Sequence, residues 1–315
     1  MRFNSYGNPG PSSYEELISF IEREIAKAGE VNAPGLHSLM RELHNVKQSQ
    51  INGCRFSPCT VDNWQPALML AAREGNLKML DLFINEEAGH VNKYGTALTT
   101  SIFDDPKHTC LQRLLTNDDE VHASQLDDLM LCICKDDTEG AKKIILSDTP
   151  LTTDVEGNTA LMYAAVMSNV EIVKLLIEHR GEECLRKQTR VFWYTALMYA
   201  AAMGHAEIVK LLVPHEAHMH DCFYQTALMC AAKEGNVKMA ELLVEEAGEK
   251  DGNDWTALMY AAICGSDKIV KLLVEKEAGM RDDLGRTALM HAIHMHMYKC
   301  IEILEGYEAG MQAKP

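Results

Sequence analysis

A short sequence recurs at a nearly fixed interval along this chain, and its period constrains the fold more than any other feature. The tetrapeptide Thr-Ala-Leu-Met occurs five times, and weaker versions of it begin at Pro66, Thr96 and Asp127. The leucine of each copy serves as an anchor, and successive anchors are 30 to 36 residues apart. A self-similar period of about 20 to 50 residues is typical of repeat architectures. The eight anchors are Leu68, Leu98, Leu129, Leu161, Leu197, Leu228, Leu258 and Leu289.

Each repeat unit has the pattern of two short helices joined by a tight turn. In the unit that begins at Thr226, one run of helical period ends near Gly235 and a second ends near Gly248. Threonine favours a helix start, and glycine favours the left-handed residue that follows a helix end. Two helices of this length cannot bury their apolar faces alone, so each unit must pack on its neighbours. The sequence therefore predicts an all-α fold, a solenoid of helix-turn-helix units separated by finger loops.

The repeat resembles the ankyrin repeat, whose pattern is Asp-x-x-Gly-x-Thr-Pro-Leu-His-x-Ala-Ala-x-x-Gly followed by Ile-Val-x-Leu-Leu. In the best-matching unit, Asp154, Gly157, Thr159 and Leu161 occupy the matching positions, and the run that begins at Ile172 matches the second part. Alanine replaces the proline and methionine replaces the histidine in nearly every unit, as in the large ankyrin-only families of some protists. The resemblance implies an ankyrin-repeat solenoid of about eight repeats. We expect its methionines to supply packing where the family has a hydrogen bond.

The first 61 residues lie outside the repeat pattern. One candidate helix ends at Gly29, and a second begins at Pro34. We predict that this helix pair caps the first repeat, while dimerisation or docking of another protein is the alternative. The predicted domains are residues 1–61, the N-terminal helical cap, and residues 62–315, the ankyrin-repeat array. Units two and three of the array are degenerate, because an insertion near Asp104 interrupts the first and the second lacks the threonine.

The charge and composition exclude several classes of partner. With 30 basic and 46 acidic side chains, the net charge is −16, the wrong sign for binding a phosphate backbone. No stretch of about 18 apolar residues predicts a membrane span, and no apolar leader follows a basic start. The ten cysteines lie mostly within helical apolar patterns, which favours reduced thiols. We therefore expect a cytoplasmic, monomeric protein that binds neither nucleic acid nor membrane.

The sequence lacks the common catalytic motifs. It has no phosphate-binding glycine loop, no Gly-x-Ser-x-Gly elbow, no dinucleotide glycine fingerprint and none of the protein-kinase elements. We therefore predict a non-enzymatic protein without a cofactor. Metal binding is the alternative function, because two clusters of histidines occur and two members of one cluster are spaced to share a helix face. The clusters are His215, His218 and His220, and His291, His294 and His296.

The resemblance also implies where a partner binds. In ankyrin repeats, partners contact the finger loop before each threonine and the two residues before the glycine that ends the first helix, which together line the concave side. Six aromatic side chains lie on three successive fingers, although aromatic residues make up only 6% of the chain. Large rigid rings are common anchors at interfaces, and methionines adapt to varied ligands. The implied partner-binding residues are Phe192, Trp193, Tyr194, Phe223, Tyr224 and Trp255 on the fingers, and Met167, Met203, Ile263 and Met295 on the first helices.

Two features of the fingers leave alternatives open. In the alternative interpretation, the aromatic rings pack on their own hairpins instead of facing a partner. Trp193, Tyr224 and Asp254 stand where the family has a left-handed glycine, so the sequence does not determine the finger conformation. The longer loop of unit four, from Arg180 to Arg190, either steers an acidic segment towards the fingers or is a solvated loop of mixed charge. The sequence thus predicts a scaffold or adaptor that binds another protein.

Overall fold

The chain folds into an array of stacked helix pairs, as seen in a computed structural model. Every regular element within the described residues is a helix, and none of these helices is long and apolar enough to cross a lipid bilayer. The predicted N-terminal cap and its boundary with the repeats lie outside the described residues. The structure describes residues 67–308, apart from residues 74, 78–79, 82–83, 85–87, 90, 92–95, 104–106, 118–120, 122–123 and 148.

The helices follow the predicted units. In units three to eight, a turn of two or three residues separates the first helix from the second. In unit two this connection has seven residues, in agreement with the predicted insertion. The helices are Ala67–Arg73 in unit one, Ala97–Phe103 and Leu111–Leu115 in unit two, Asp128–Cys134 and Thr138–Ile145 in unit three, Ala160–Val166 and Val170–Cys184 in unit four, Ala196–Met203 and Ala206–Glu216 in unit five, Ala227–Lys233 and Val237–Leu242 with the 3₁₀ turn Val244–Glu246 in unit six, Ala257–Cys264 and Asp267–Glu277 in unit seven, and Ala288–His294 and Tyr298–Glu308 in unit eight.

Polar side chains fix several of the predicted helix starts. The hydroxyl oxygens of Thr159, Thr195 and Thr226 each accept a hydrogen bond from the backbone N–H three residues later, at 3.2 to 3.4 Å. Such a cap satisfies one of the N–H groups that a helix start leaves without a partner. The buried sulfur of Met162 also accepts the backbone N–H of Thr159 at 3.4 Å. This methionine therefore supplies a weak hydrogen bond in addition to the expected packing.

Neighbouring units pack first helix on first helix and second helix on second helix. Four residues after the anchor leucine, units four to seven have a buried alanine, which lets successive first helices approach closely. The anchor leucines fill the core between the helices, and burial of each contributes about 1.5 to 3 kcal/mol. The predicted all-α repeat solenoid is confirmed, while the number of eight repeats stays a prediction. The alanines are Ala165, Ala201, Ala232 and Ala262.

A buried glutamate near the end of the second helix joins each of units five, six and seven to the unit before it. One carboxylate oxygen accepts the backbone N–H of the anchor leucine of its own unit, at 2.7 to 2.9 Å. The other oxygen accepts a backbone N–H from the loop that follows the preceding unit, at 2.8 to 3.2 Å. The repeat pattern did not lead us to expect this connection. The glutamates are Glu216, Glu246 and Glu277, and the loop donors are Arg186, His218 and Gly248.

The glutamate connection is different at units four and eight. In unit four the position belongs to Cys184, and burial together with nearby Glu216 raises the pKa of its thiol to about 12. In unit eight Glu308 accepts the backbone N–H of Gly279 at 3.3 Å, but its Oε2 has no partner within the described residues. The complete connection therefore joins units four to seven, and a partial one joins unit eight to unit seven.

The buried glutamates make stability depend on pH in an unusual direction. Burial raises the pKa of Glu216, Glu246 and Glu277, although their backbone hydrogen bonds lower it in part. A carboxyl whose pKa is raised in the folded state takes up protons on folding, so its contribution to stability is lost as the pH rises through the folded pKa. The Glu249 carboxylate raises the pKa of His218, whose contribution is lost with rising pH in the same way. Burial lowers the pKa of His291, which acts in the opposite direction.

We expect the melting temperature to rise when the pH is lowered from about 8 to about 5.5, by about 2 to 4 °C for each kcal/mol gained. Circular dichroism during heating measures this change. A variant with glutamine at Glu216, Glu246 and Glu277 lacks the three carboxyl titrations, so its melting temperature should vary less with pH. A wild-type melting temperature that falls over the same range would contradict the prediction.

Candidate partner-binding surface

Each finger of units four to eight is a tight hairpin held together by a buried polar side chain. In units four, six, seven and eight, an aspartate Oδ1 accepts the backbone N–H groups two and four residues later, at 2.7 to 3.0 Å. Side chains of this type commonly stabilise turns in this way. In unit five Thr189 has this role, and its Oγ1 accepts the N–H of Tyr194 at 3.0 Å. The aspartates are Asp154, Asp221, Asp251 and Asp282.

The other carboxylate oxygen ties three of these fingers to their own first helix. It accepts the hydroxyl of Tyr163 at 2.7 Å in unit four and the hydroxyl of Tyr260 at 2.6 Å in unit seven. In unit eight it lies 3.0 Å from Nε2 of His291. The same position in unit six is Cys230, whose pKa burial raises to about 12. The finger of unit six therefore lacks the bond to its own first helix that units four, seven and eight have.

Successive fingers are joined by single backbone hydrogen bonds. The N–H of Arg190 donates to the Glu156 carbonyl at 2.8 Å, and the N–H of Cys222 donates to the Phe192 carbonyl at 2.9 Å. The same bond joins unit six to unit seven, from Gly252 to the Phe223 carbonyl at 2.9 Å. The fingers of units four to seven thus form a continuous row, which continues to unit eight through the N–H of Asp283 and the Asn253 carbonyl.

The tip of every finger in this row has a left-handed backbone. Gly157 and Gly285 have positive φ angles of 87° and 74°, which glycine adopts without strain. Trp193, Tyr224 and Asp254 have φ angles of 58° to 63° at the same position. This conformation costs a residue with a side chain about 1 to 2 kcal/mol. The fingers of units five, six and seven therefore keep the backbone of the family pattern without its glycine, at an energetic cost.

The six aromatic residues of the fingers differ in how they are packed. Trp193, Phe223 and Tyr224 are 47%, 41% and 58% exposed. The Tyr194 ring lies half-buried, with its centroid 5.5 Å from that of Tyr199 in an edge-to-face contact. Phe192 and Trp255 are also half-buried. The Phe192 centroid lies 5.7 Å from that of Tyr194, and the Trp255 centroid lies 5.2 Å from Tyr260 and 4.5 Å from His291. The fingers of units five and six thus present most of the exposed aromatic surface.

The aliphatic residues implied on the first helices are less exposed than the finger tips. Met167 and Met203 are half-buried and pack against the core. Ile263 is half-buried, whereas Met295 in unit eight is exposed. The structure brings Trp193 and Tyr224 together on neighbouring fingers, but Met295 belongs to the last described unit.

One aromatic residue of the first-helix surface was missed by the sequence analysis. Phe103 ends the first helix of unit two, and its ring centroid lies 5.0 Å from that of Tyr163 and 4.7 Å from that of Tyr199. These two rings belong to units four and five, and the degenerate sequence of units two and three gave no register from which to predict the contacts. Lys233 Nζ lies 5.9 Å from the centroid of the Tyr260 ring, a cation–π distance.

The basic loop of unit four divides into an internal part and an exposed part. Arg180 donates to the carbonyls of Ser147 at 3.0 Å and Thr149 at 2.8 Å and pairs with Glu183 at 2.8 Å, so its charge is used within the fold. Arg186, Lys187 and Arg190 are exposed. The guanidinium groups of Arg186 and Arg190 donate only to backbone carbonyls, at 3.1 and 3.2 Å.

The histidine clusters do not form a metal site. The His218 Nδ1 contacts the Glu249 carboxylate, and the His220 Nε2 lies 3.5 Å from its other oxygen. His291 is buried against Asp282. Throughout the part of the chain that the structure describes, no group of three or more histidine, cysteine, aspartate or glutamate side chains is arranged to hold a metal ion. The metal-binding alternative therefore has no site among these residues.

Three of the described cysteines have a strongly raised thiol pKa. The eight cysteines within the described residues are free thiols. Burial raises the pKa of Cys134, Cys184 and Cys230 to about 12. The thiolate is the nucleophilic form of cysteine, so these three thiols are poor nucleophiles.

A family model and solved structures that resemble this chain are all described as ankyrin repeats. A family model described as "Ankyrin repeats (3 copies)" matches residues 105–188, 129–221, 181–254, 197–281 and 246–314. The chain is similar to a crystal structure of the ankyrin repeat protein EF0377, with 29% identity and a TM-score of 0.51 over 57% of this chain and 96% of that one. It is also similar to an ankyrin repeat domain from Acinetobacter baumannii AYE, with 26% identity, a TM-score of 0.51 and the same coverage. No curated protein matches the chain.

Proposed function

This chain belongs to the ankyrin-repeat family, and from that premise we propose that it is a non-enzymatic scaffold or adaptor that binds another protein. Repeats of this family generally mediate contacts between proteins. The proposed binding surface consists of the finger tips and first-helix ends of units four to eight, with its centre at the fingers of units five and six. There the most exposed of the finger aromatic side chains lie on adjacent fingers joined by a backbone hydrogen bond.

The observation that supports this proposal best is the conformational free energy that the left-handed backbone of Trp193 and Tyr224 costs. Trp193 and Tyr224 adopt a backbone conformation that favours glycine, yet about half of each side chain remains exposed. A strained residue that buries so little of its ring gains little for the folded chain itself. Strain of this kind is often retained at binding sites, where the partner supplies the compensating contact. Exposed aromatic rings on a rigid frame are also the common anchors of protein interfaces.

Glycine variants at the tips test the proposal without disturbing the fold. Relief of the left-handed strain offsets the entropy that glycine adds to the unfolded chain, so Trp193→Gly and Tyr224→Gly should change stability by less than about 1 kcal/mol. Affinity capture from a lysate of cells that contain the protein, followed by mass spectrometry, compares the partners of each variant with those of the wild type. We expect both variants to lose the same partner proteins, since removing an anchor ring costs about 2 kcal/mol or more of binding energy.

Asp254→Gly is the matched control, because it makes the same backbone change at the tip of unit seven without removing a ring. It should retain the partners. If all three variants capture the same proteins as the wild type, the interface lies elsewhere on the chain. Loss of partners by Asp254→Gly as well would assign the effect to finger flexibility rather than to the aromatic rings.

A further inference from the structure

A group of exposed positive charges lies in the loop that leads to the aromatic finger of unit five. Arg186, Lys187 and Arg190 precede Trp193 within one loop. The Gln188 side chain holds this loop in place, because its Nε2 donates to the Trp193 carbonyl at 2.9 Å and to the His220 carbonyl at 2.7 Å. His220 immediately precedes the finger of unit six, so the loop is fixed to the tip of unit five and to the start of the finger of unit six. We call Arg186, Lys187, Arg190, Trp193 and Tyr224 the basic aromatic patch.

The charges of this patch are only partly balanced within the described residues. Lys187 and Arg190 form no ion pair there and Arg186 lies near the buried Glu216 carboxyl, whereas cations on the later fingers pair with aspartates. On the finger of unit seven, Lys250 Nζ lies 3.3 Å from an Asp254 oxygen, and on the finger of unit eight Arg286 lies 2.8 Å from Asp282. In a chain whose net charge is −16, a loop with three exposed cations concentrates positive charge. Such a loop attracts anionic groups.

The patch therefore offers two kinds of contact, one for charged groups and one for apolar groups. The arginine guanidinium groups and the lysine ammonium favour carboxylates, and the two rings favour apolar side chains. Building on the proposed function, we infer that the occupant is a short acidic segment of the partner protein, in which aspartate or glutamate side chains alternate with apolar ones. The carboxylates lie against the loop of Arg186 to Arg190, and an apolar side chain lies between the rings of Trp193 and Tyr224.

Selection from a library of random short peptides displayed on phage tests this inference directly. Peptides are selected on the wild-type chain after depletion on the Trp193→Gly, Tyr224→Gly double variant, which removes sequences that bind elsewhere. We expect the selected peptides to be enriched in aspartate and glutamate next to leucine or aromatic residues. A synthetic peptide of the selected consensus is then measured by fluorescence polarisation against variants of the intact chain.

Charge reversal separates the basic loop from a general electrostatic effect. Lys187→Glu should weaken binding of this peptide by about 10-fold or more, and Arg190→Gln should weaken it less. Lys174→Glu, an exposed charge reversal on the second helix of unit four, should change binding by less than about 2-fold because it lies outside the fingers. Raising the salt concentration should weaken binding of the wild type more than that of Lys187→Glu.

The outcomes distinguish this inference from the proposed function. Selected peptides that are basic or uncharged, or a dissociation constant that Lys187→Glu leaves unchanged, would overturn the acidic segment even if the tip variants still lose their partners from the lysate. A selection that yields no binder dependent on the tips would overturn it as well. If a labelled single-stranded oligonucleotide binds the patch more tightly than the acidic peptide, the occupant is a nucleic acid and both proposals fail.

Discussion

Replacing Glu246 with alanine should lower the free energy of unfolding by about 3 kcal/mol. The Glu246 carboxylate accepts the N–H of Leu228 at 2.7 Å and that of His218 at 3.2 Å. Without it, both donors lose their partners, the first at a buried helix start and the second in the loop of the preceding unit. A buried donor left without a partner costs about 1 to 3 kcal/mol. Urea unfolding followed by circular dichroism measures the loss.

The neighbouring residue supplies the control for this prediction. Glu245 lies in the same 3₁₀ turn but is exposed, so Glu245→Ala should change stability by less than about 0.5 kcal/mol. Both variants remove one negative charge, and a difference between them therefore reports the buried hydrogen bonds. Equal stabilities would mean that water satisfies the two donors and that the glutamate does not connect the units.

The second large effect is expected at the finger of unit four. Asp154 is buried and accepts four hydrogen bonds, from the N–H groups of Glu156 and Asn158, the Asn158 side-chain amide and the Tyr163 hydroxyl. Asp154→Ala leaves all four donors without their acceptor. We expect a loss of about 3 to 4 kcal/mol in the free energy of unfolding, also measured in urea.

Asp221→Ala is the matched comparison, since this aspartate has the same place in the finger of unit six. It accepts the N–H groups of Phe223 and Gln225, both at 2.8 Å, and faces Cys230 where unit four has a tyrosine. The expected loss is smaller, about 2 kcal/mol. A loss as large as that of Asp154→Ala would contradict the view that the bond to the first helix adds stability.

The repeat period was sufficient to predict the solenoid, because apolar spacing, helix starts and glycine positions all agree from unit to unit. The buried glutamates escaped that reasoning. An acidic residue at a helix end normally suggests a solvated position, and its burial depends on a loop donor from another unit. The recurrence of a Glu-Ala pair 18 or 19 residues after the anchors of units five to eight was the available signal. The contact of Phe103 with Tyr163 crosses a degenerate unit, where the pattern carries no register.

The candidate site could be predicted only in part. The pattern located the aromatic fingers, since each precedes a threonine at a fixed distance. It did not separate Trp193 and Tyr224, which are exposed, from Tyr194 and Trp255, which pack on their own unit. That separation depends on whether a ring stands at the left-handed tip or one residue after it. The neutralisation of some finger cations but not others likewise depends on three-dimensional contacts.

The glutamate hydrogen bonds at successive boundaries should couple the unfolding of neighbouring units. Each glutamate bridges the boundary between two units, so units four to seven should unfold as one cooperative block, a foldon in the language of hydrogen exchange. A ligand bound at the tips of units five and six would then protect the amide protons of unit seven, which it does not touch. The slowest-exchanging region would therefore be wider than the footprint of the ligand.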